Sequence, residues 1–161
     1  MDKYKIRPAK QADLDEIERI YEFARRFMIR NGNPTQWVNG YPRRDLLEED
    51  IRGGKLFVAE HENRISGVFL FVIGEDPTYA RIEDGSWISD ALYGTIHRIA
   101  SYGGGLFEAA LAFCRAKCSH IRVDTHQNNK PMQHLAEKYG FSRRGIIYCD
   151  DGTPRIAYEL L

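Results

Sequence analysis

The sequence has few cysteines, no excess of either charge and no long hydrophobic run. Each shortage excludes something. Cys114, Cys118 and Cys149 are an odd set without metal-ligand pairing, so no metal site is expected. Cys114 and Cys118 stand four apart on an expected helix, where they are expected to pack rather than bridge, and a reduced, cytoplasmic chain is expected. Lys plus Arg equals Asp plus Glu at 23 each. Nucleic-acid binding by bulk charge is thereby disfavoured, and no nucleic-acid partner is expected. The apolar runs are far too short to span a bilayer, and no signal-peptide core opens the chain, so no membrane partner is expected. No repeat, linker or low-complexity tract divides the 161 residues. With 43% hydrophobic residues the chain can bury one sizeable core, so residues 1–161 are expected to form a single domain.

What is present alternates in type. Tyr4–Arg7 is a short strand candidate ended by Pro8. Asp13 opens a helix through about Ile29, with an apolar stripe of Leu14, Ile17, Ile20, Tyr21, Ala24, Phe27 and Met28. The aromatic loop around Trp37 and Tyr41 precedes a shorter helix, Arg43–Arg52. Leu56–Glu60 and Ile65–Ile73 read as a hairpin turning at Glu62 and Asn63. Tyr79–Ile82 continues the meander between two turns. Arg155–Leu160 is a final strand after Gly145–Tyr148. One α/β (α+β) fold with a mixed sheet follows.

The organising stretch is Tyr93–Phe141. A strand through His97 and Ser101 meets Gly103, Gly104 and Gly105, then a helix over Leu106–Lys117. A strand at His120–Thr125 and a helix from Asn129 to Tyr139, stopped by Gly140, complete the unit. Glycines before a helix start offer bare amides to an anion such as a pyrophosphate. No Walker lysine follows Gly105 and no GxGxxG is present, which speaks against a nucleotide-triphosphate loop or a dinucleotide fold. The glycines also read simply as a flexible turn.

The order resembles the GNAT superfamily of acetyl-CoA-dependent N-acetyltransferases over nearly the whole chain. The segment from Asn129 to Phe141, NKPMQHLAEKYGF, is similar to the family's N-x-x-A-x-x-L-Y-E-K-x-G-F. Ile6-Arg7-Pro8-Ala9 with Ala12-Asp13-Leu14 resembles its opening, and His97–Ser101 its fourth strand. An uncharacterised bacterial subgroup carries similar I-H-R-I-A-S, D-T-H and Q-W-x-x-G-Y-P segments. The resemblance implies a mostly antiparallel twisted sheet of about six to seven strands with about four helices, its fourth and fifth strands splayed, often near a bulge. It implies acetyl-CoA as cosubstrate, its pantetheine beside Ile99, Ala100 and Ser101, and an amide near Ile99 at the thioester oxygen. The pyrophosphate falls on Gly103, Gly104, Gly105, Leu106 and Phe107, and Asn129 reaches the cofactor.

Two departures accompany the likeness. Tyr102 stands at a basic or amide position of the loop, and Phe107 at a small one, where an outward ring would crowd the pyrophosphate. The tyrosine that serves many relatives as general acid is replaced by Ala136, with Tyr139 three residues on. His97 and Asp124 are base candidates, with His126 sharing Asp124's face if the strand persists. Equally, His97 reads as a core histidine and Asp124 as a brace for the turn at Gln127–Lys130. Trp37, Tyr41, Trp87 and Tyr93 are candidates to line an acceptor pocket; Trp37 and Tyr41 also read as a lid packed on the sheet. The expected reaction is acetyl transfer from acetyl-CoA to the primary amine of a small molecule or peptide. A non-catalytic acyl-CoA-binding protein and an unrelated α/β nucleotide binder are the alternatives. A homodimer through the last strands is the self-association expected.

Overall fold

The computed structural model describes residues 3–161. Seven strands form one sheet: β1 (Lys5–Pro8), β2 (Leu56–His61), β3 (Arg64–Ile73), β4 (Gly94–Ser101), β5 (Ile121–Thr125), β6 (Ser142–Tyr148) and β7 (Pro154–Leu160). Their order is β1-β2-β3-β4-β5-β7-β6. Four helices accompany them: α1 (Leu14–Arg30), α2 (Arg44–Arg52), α3 (Leu106–Arg115) and α4 (Lys130–Lys138). The β1–β2, β2–β3, β5–β7 and β6–β7 ladders are antiparallel, whereas β4–β5 is parallel. The expected mixed sheet with four helices is therefore present. Two compact units are distinguishable: residues through Phe71 with His97–Phe113, and Val72–Ile96 with Cys114–Leu161.

In the first unit, α1 buries Leu14, Ile17, Ile20 and Tyr21, the 3.6-period stripe seen in the sequence. Each such aliphatic side chain contributes about 1.5–3 kcal/mol on burial. The stripe ends sooner than its periodicity suggests, because Phe27, on Ile20's face, is exposed where the helix outruns the core. Asp13, expected as N-cap or first-turn acid, stands at the N-cap of α1, but its side chain makes no capping bond there and serves the turn before it. Its carboxylate accepts from the Lys10 amide at 2.8 Å and from Arg7 at 2.8 Å. The β2–β3 hairpin turns on Glu62 and Asn63, both at positive φ, the two-residue turn whose twist matches the strands. Phe57, Phe69 and Phe113 cluster with centroids 5.1–6.1 Å apart and seat α3 on the hairpin. Gly67 permits this, since a Cβ there would lie 2.7 Å from Leu106 Cδ2.

The second unit centres on Tyr79, Tyr93, Ile147 and Ala157, with Ile82 and Trp87 against them. The segment expected as extended, Tyr79–Ile82, instead begins as a helical turn over Pro77–Tyr79. Asp76 Oδ1 accepts from both the amide and hydroxyl of Thr78, and Pro77 fixes φ for the first helical position. What survives of the strand is one bridge, Glu83↔Ile146. Gly145 allows it: a Cβ there would stand 2.4 Å from the Glu83 carbonyl oxygen. Helix α3 stops at Arg115, so Cys118 sits in the following turn rather than on the helix.

Candidate cofactor and acceptor site

The β4–β5 register comprises Gly94↔Ile121 and Thr95↔Arg122. Beyond that ladder β4 runs on from Ile96 to Ser101. Within this run Arg98 has φ +50, a left-handed conformation of the kind bulges use to turn a peptide out of register. The strand then enters the glycine turn. The Tyr102 amide donates to Ser66 O at 3.0 Å, and Ser101 Oγ donates to Gly103 O at 2.5 Å. Gly105 has φ +90, which a side chain would oppose.

Helix α3 follows at once. The Ala109 amide bonds back to Gly105 O at 3.3 Å, so the amides of Leu106, Phe107 and Glu108 precede the helical ladder. Leu106 and Phe107 are buried, whereas Tyr102 and the three glycines are exposed. A ring filling an anion seat at the mouth of this turn would be exposed, so buried Phe107 leaves the mouth to backbone. A Cβ at Gly104 would meet nothing within 4 Å. Lys3 Nζ donates to Gly104 O at 2.8 Å and Tyr4 OH to the same oxygen at 3.0 Å. An open cradle of amides at a helix start, beside an ammonium, fits a diphosphate. Exposed Glu108 is the opposing charge in that first turn.

Other candidates of the first unit surround Arg98. His97 and Ile99 are half-buried and Ala100 buried. The Tyr21 hydroxyl donates to Arg98 O at 2.7 Å, and the Arg98 guanidinium pairs with Asp50. Trp37 meets Tyr21 edge-on at 5.6 Å and Tyr41 at 6.5 Å. Trp37 thus packs on both Tyr21 and Tyr41, while Tyr41 keeps 38% of its surface exposed.

In the second unit, Asp124 Oδ2 accepts the Tyr79 hydroxyl at 2.6 Å. Burial, reinforced by that carboxylate, pushes the Tyr79 phenol well up, so it stays a donor. Strand β5 ends at Thr125, leaving His126 outside it, and the expected shared strand face does not form. His126 braces the turn that follows: its Nδ1 accepts from the Asn128 amide at 3.0 Å. Burial and Arg155 hold its pKa below the ordinary range. Asn129 caps α4, its Oδ1 accepting from Met132 N–H at 3.3 Å. Ala136 is fully buried, and Tyr139 is half-buried at the end of α4. Tyr93 is buried, and Trp87 donates its indole N–H to Tyr79 O at 2.9 Å. Their rings sandwich Arg122, each centroid 4.0 Å from its guanidinium carbon. Burial pushes the Cys114 thiol up to about 12, which suits packing and not an acyl carrier.

Sequence reasoning singled out neither Lys3, Tyr21, Asp50, Tyr79 nor Arg98 for the site. For Asp50 a signal existed: it lies three residues after inward-facing Leu47 and so shares its helix face.

Comparison with known proteins agrees with the architecture. The model of the acetyltransferase (GNAT) family matches residues 17–141. A GNAT-family acetyltransferase from Streptococcus agalactiae is similar at 30% identity, with a TM-score of 0.89 over 98% of this chain and 95% of that one. A GNAT-family acetyltransferase from Listeria monocytogenes shares the fold at 21% identity and a TM-score of 0.70, over 98% and 95% of the two chains. An N-acetyltransferase from Staphylococcus aureus does so at 22% and 0.62, over 99% and 98%. No curated protein matches the chain. With a family model covering most of its length and a relative at 30% identity aligned nearly end to end, the chain belongs to the GNAT family of acetyltransferases.

Proposed function

We propose that this protein moves an acetyl group from acetyl-CoA to a primary amine by direct attack. The observation that carries this is the course of β4: it runs past its two-residue ladder with β5 into an exposed glycine turn at the start of α3. Acetyl-CoA would supply the activated thioester. Ile99, Ala100 and Ser101 would present strand backbone to the pantetheine, and Gly103–Phe107 would present amides to the diphosphate. Lys3 adds a cation where the turn itself has Tyr102. Asn129 serves α4 through Oδ1 and would reach the cofactor through its amide nitrogen.

The acceptor amine must lose a proton before or during attack. Asp124, oriented by Tyr79, and His97 on β4 are the groups proposed to take it. Tyr139 is the phenol nearest in sequence to Ala136 and would protonate the departing thiolate. Trp37 and Tyr41, with half-buried Trp87, would shape acceptor selection, whereas Tyr93, expected beside them, is buried in the core and would not line a pocket. Side-by-side binding of the two substrates supplies much of the acceleration, to which acid–base help adds about 10²–10⁴-fold.

The test is release of CoA, followed with a thiol dye, from acetyl-CoA and a panel of small and peptide amines. Amine-dependent release is the expected outcome, with Asp124→Asn or His97→Gln lowering kcat about 10²-fold or more. No release across a broad panel sinks the transferase reading. Buried Ala136 at the usual acid position favours one second reading, an acyl-CoA-binding protein without turnover. Calorimetric binding of acetyl-CoA with no release would select it.

A further inference from the structure

The Arg98–Ile99 peptide is held from both ends. Arg98 at φ +50 occupies a conformation that a residue with a Cβ disfavours, so its surroundings must hold it there. Its carbonyl accepts the hydroxyl of fully buried Tyr21 on α1 at 2.7 Å. Its guanidinium, on a side chain 7% exposed, pairs with Asp50 of α2 and lies 5.9 Å from the Tyr41 ring centroid. Arg98 Nε is buried with no hydrogen-bond partner among the described residues. Breaking a buried pair leaves an uncompensated charge, so Asp50 and Arg98 resist separation. One kinked residue of β4 is thus fastened to α1 by its backbone and to α2 by its side chain.

A trans peptide points its C=O and N–H in opposite directions. Whatever holds the Arg98 carbonyl therefore also sets the direction of the Ile99 amide. Tyr21 holds that carbonyl on its own side, which turns Ile99 N–H away from it. Burial pushes the Tyr21 phenol up, so the hydroxyl remains a donor throughout the neutral range. We infer that Tyr21, with Asp50 holding Arg98 in its kink, is a positioning device that aims the Ile99 amide at the thioester carbonyl of acetyl-CoA. The inference rests on the acetyl-transfer reading above. A donor aimed in advance stabilises developing oxyanion charge without reorganising, and losing such a donor outright costs about 10²–10³ in kcat. A donor present but misaimed costs less.

The deciding experiment is infrared difference spectroscopy of acetyl-CoA carrying ¹³C at the thioester carbonyl, bound to wild type and to Tyr21→Phe. Tyr21→Phe keeps the ring and removes only the hydroxyl. In wild type the carbonyl band is expected below its position in free acetyl-CoA. In Tyr21→Phe it returns toward the free position, kcat falls roughly 10- to 100-fold, and KM for acetyl-CoA is unchanged. Asp50→Asn gives a partial return in the same direction and keeps the test open if Tyr21→Phe folds poorly. A loss of packing alone would leave the band of bound acetyl-CoA where wild type has it, and that result overturns the proposal. A bound wild-type band at the free position also overturns it while sparing the cofactor reading. Wild type that fails to bind acetyl-CoA overturns both.

Discussion

Arg98 on β4 and Arg122 on β5 are both buried against carboxylates, yet they are held in opposite ways. Arg122 sits in a regular strand directly across from Glu159 in the β5–β7 register. Its Nε donates to Glu159 Oε2 at 3.3 Å, Nη2 donates to Ser89 O at 2.6 Å, and two rings cover its faces. Glu159 is equally engaged, accepting from His120 Nε2 at 2.7 Å and from the Ile88 amide at 2.6 Å. Arg98 has one carboxylate, one aromatic neighbour, a kinked backbone and a buried Nε without a partner among the described residues. The Arg122–Glu159 pair is well satisfied on relaxed backbone, as a fastening needs, although His120 Nδ1 beside it is buried without a hydrogen-bond partner among the described residues. Strain next to an incompletely satisfied charge is more often retained where geometry serves chemistry. The two clusters should therefore respond differently to removal of their acids.

The largest effect is expected at Glu159. Glu159→Gln leaves Arg122 buried without its counter-charge, at a cost of about 3–5 kcal/mol, readable by denaturant unfolding. Burial raises this carboxyl's pKa, but the Ile88 amide, His120 and Arg122 together outweigh it and leave it below its ordinary value of 4.5. Ionisation is therefore easier in the folded chain than in the unfolded one. Its contribution is complete above pH 4.5 and is lost as pH falls through the folded value. Glu159→Gln should flatten that part of the stability–pH curve. Unaltered acid sensitivity would assign it elsewhere, with the Asp13 carboxyl, lowered chiefly by its hydrogen bond from Arg7, the next group to examine.

Asp50→Asn removes charge from a pair with fewer auxiliary bonds, and the expected loss is smaller, about 2–3 kcal/mol. The contrast lies in function. Asp50→Asn should lower kcat beyond what its stability loss explains when assayed well below the unfolding midpoint. Glu159→Gln, in the same assay, should leave the kcat of the folded fraction near wild type. Equal effects on kcat would erase the distinction between a fastening and a positioning cluster.

Why one cluster was partly visible in sequence and the other not follows from topology. The hairpin at Glu62–Asn63, the α1 stripe and the glycine turn are local, so spacing and residue type reveal them. Asp50 is local too, displaced three residues from Leu47, but the run Glu48-Glu49-Asp50 disguises a buried acid as a solvated face. The Arg122–Glu159 pair is invisible because β7 lies beside β5 with β6 outside it, a neighbour relation that chain order does not announce. Positive φ at Arg98 is hidden for a different reason: no property of arginine favours it, and it depends on tertiary contacts such as those from Tyr21 and Asp50 that spacing does not reveal. Tyr79 was misjudged because Asp76 and Pro77 start a helical turn more strongly than the aromatic residues extend a strand. Its grip on Asp124 came into view only with that turn.

The glycine turn gives the smallest stability effect and the cleanest separation of strain from ligand contact. Gly105→Ala places a side chain at φ +90 and should cost about 1–2 kcal/mol, although its Cβ would meet only ordinary contacts with Lys3 and Tyr4 near 3.9 Å. Gly104 is not at positive φ, and a Cβ there meets nothing within 4 Å. Gly104→Ala should therefore change stability by no more than about 0.5 kcal/mol. A methyl group on that open surface still stands where a diphosphate would rest against backbone. Calorimetric affinity for CoA should consequently fall in Gly104→Ala by roughly tenfold, equivalent to about 1.4 kcal/mol, with the fold untouched. Pantetheine lacking the diphosphate supplies the internal control, because its binding should be indifferent to Gly104. Equal losses for both ligands, or none for CoA, would move the diphosphate away from this turn and leave Gly103–Gly105 as a hinge between β4 and α3.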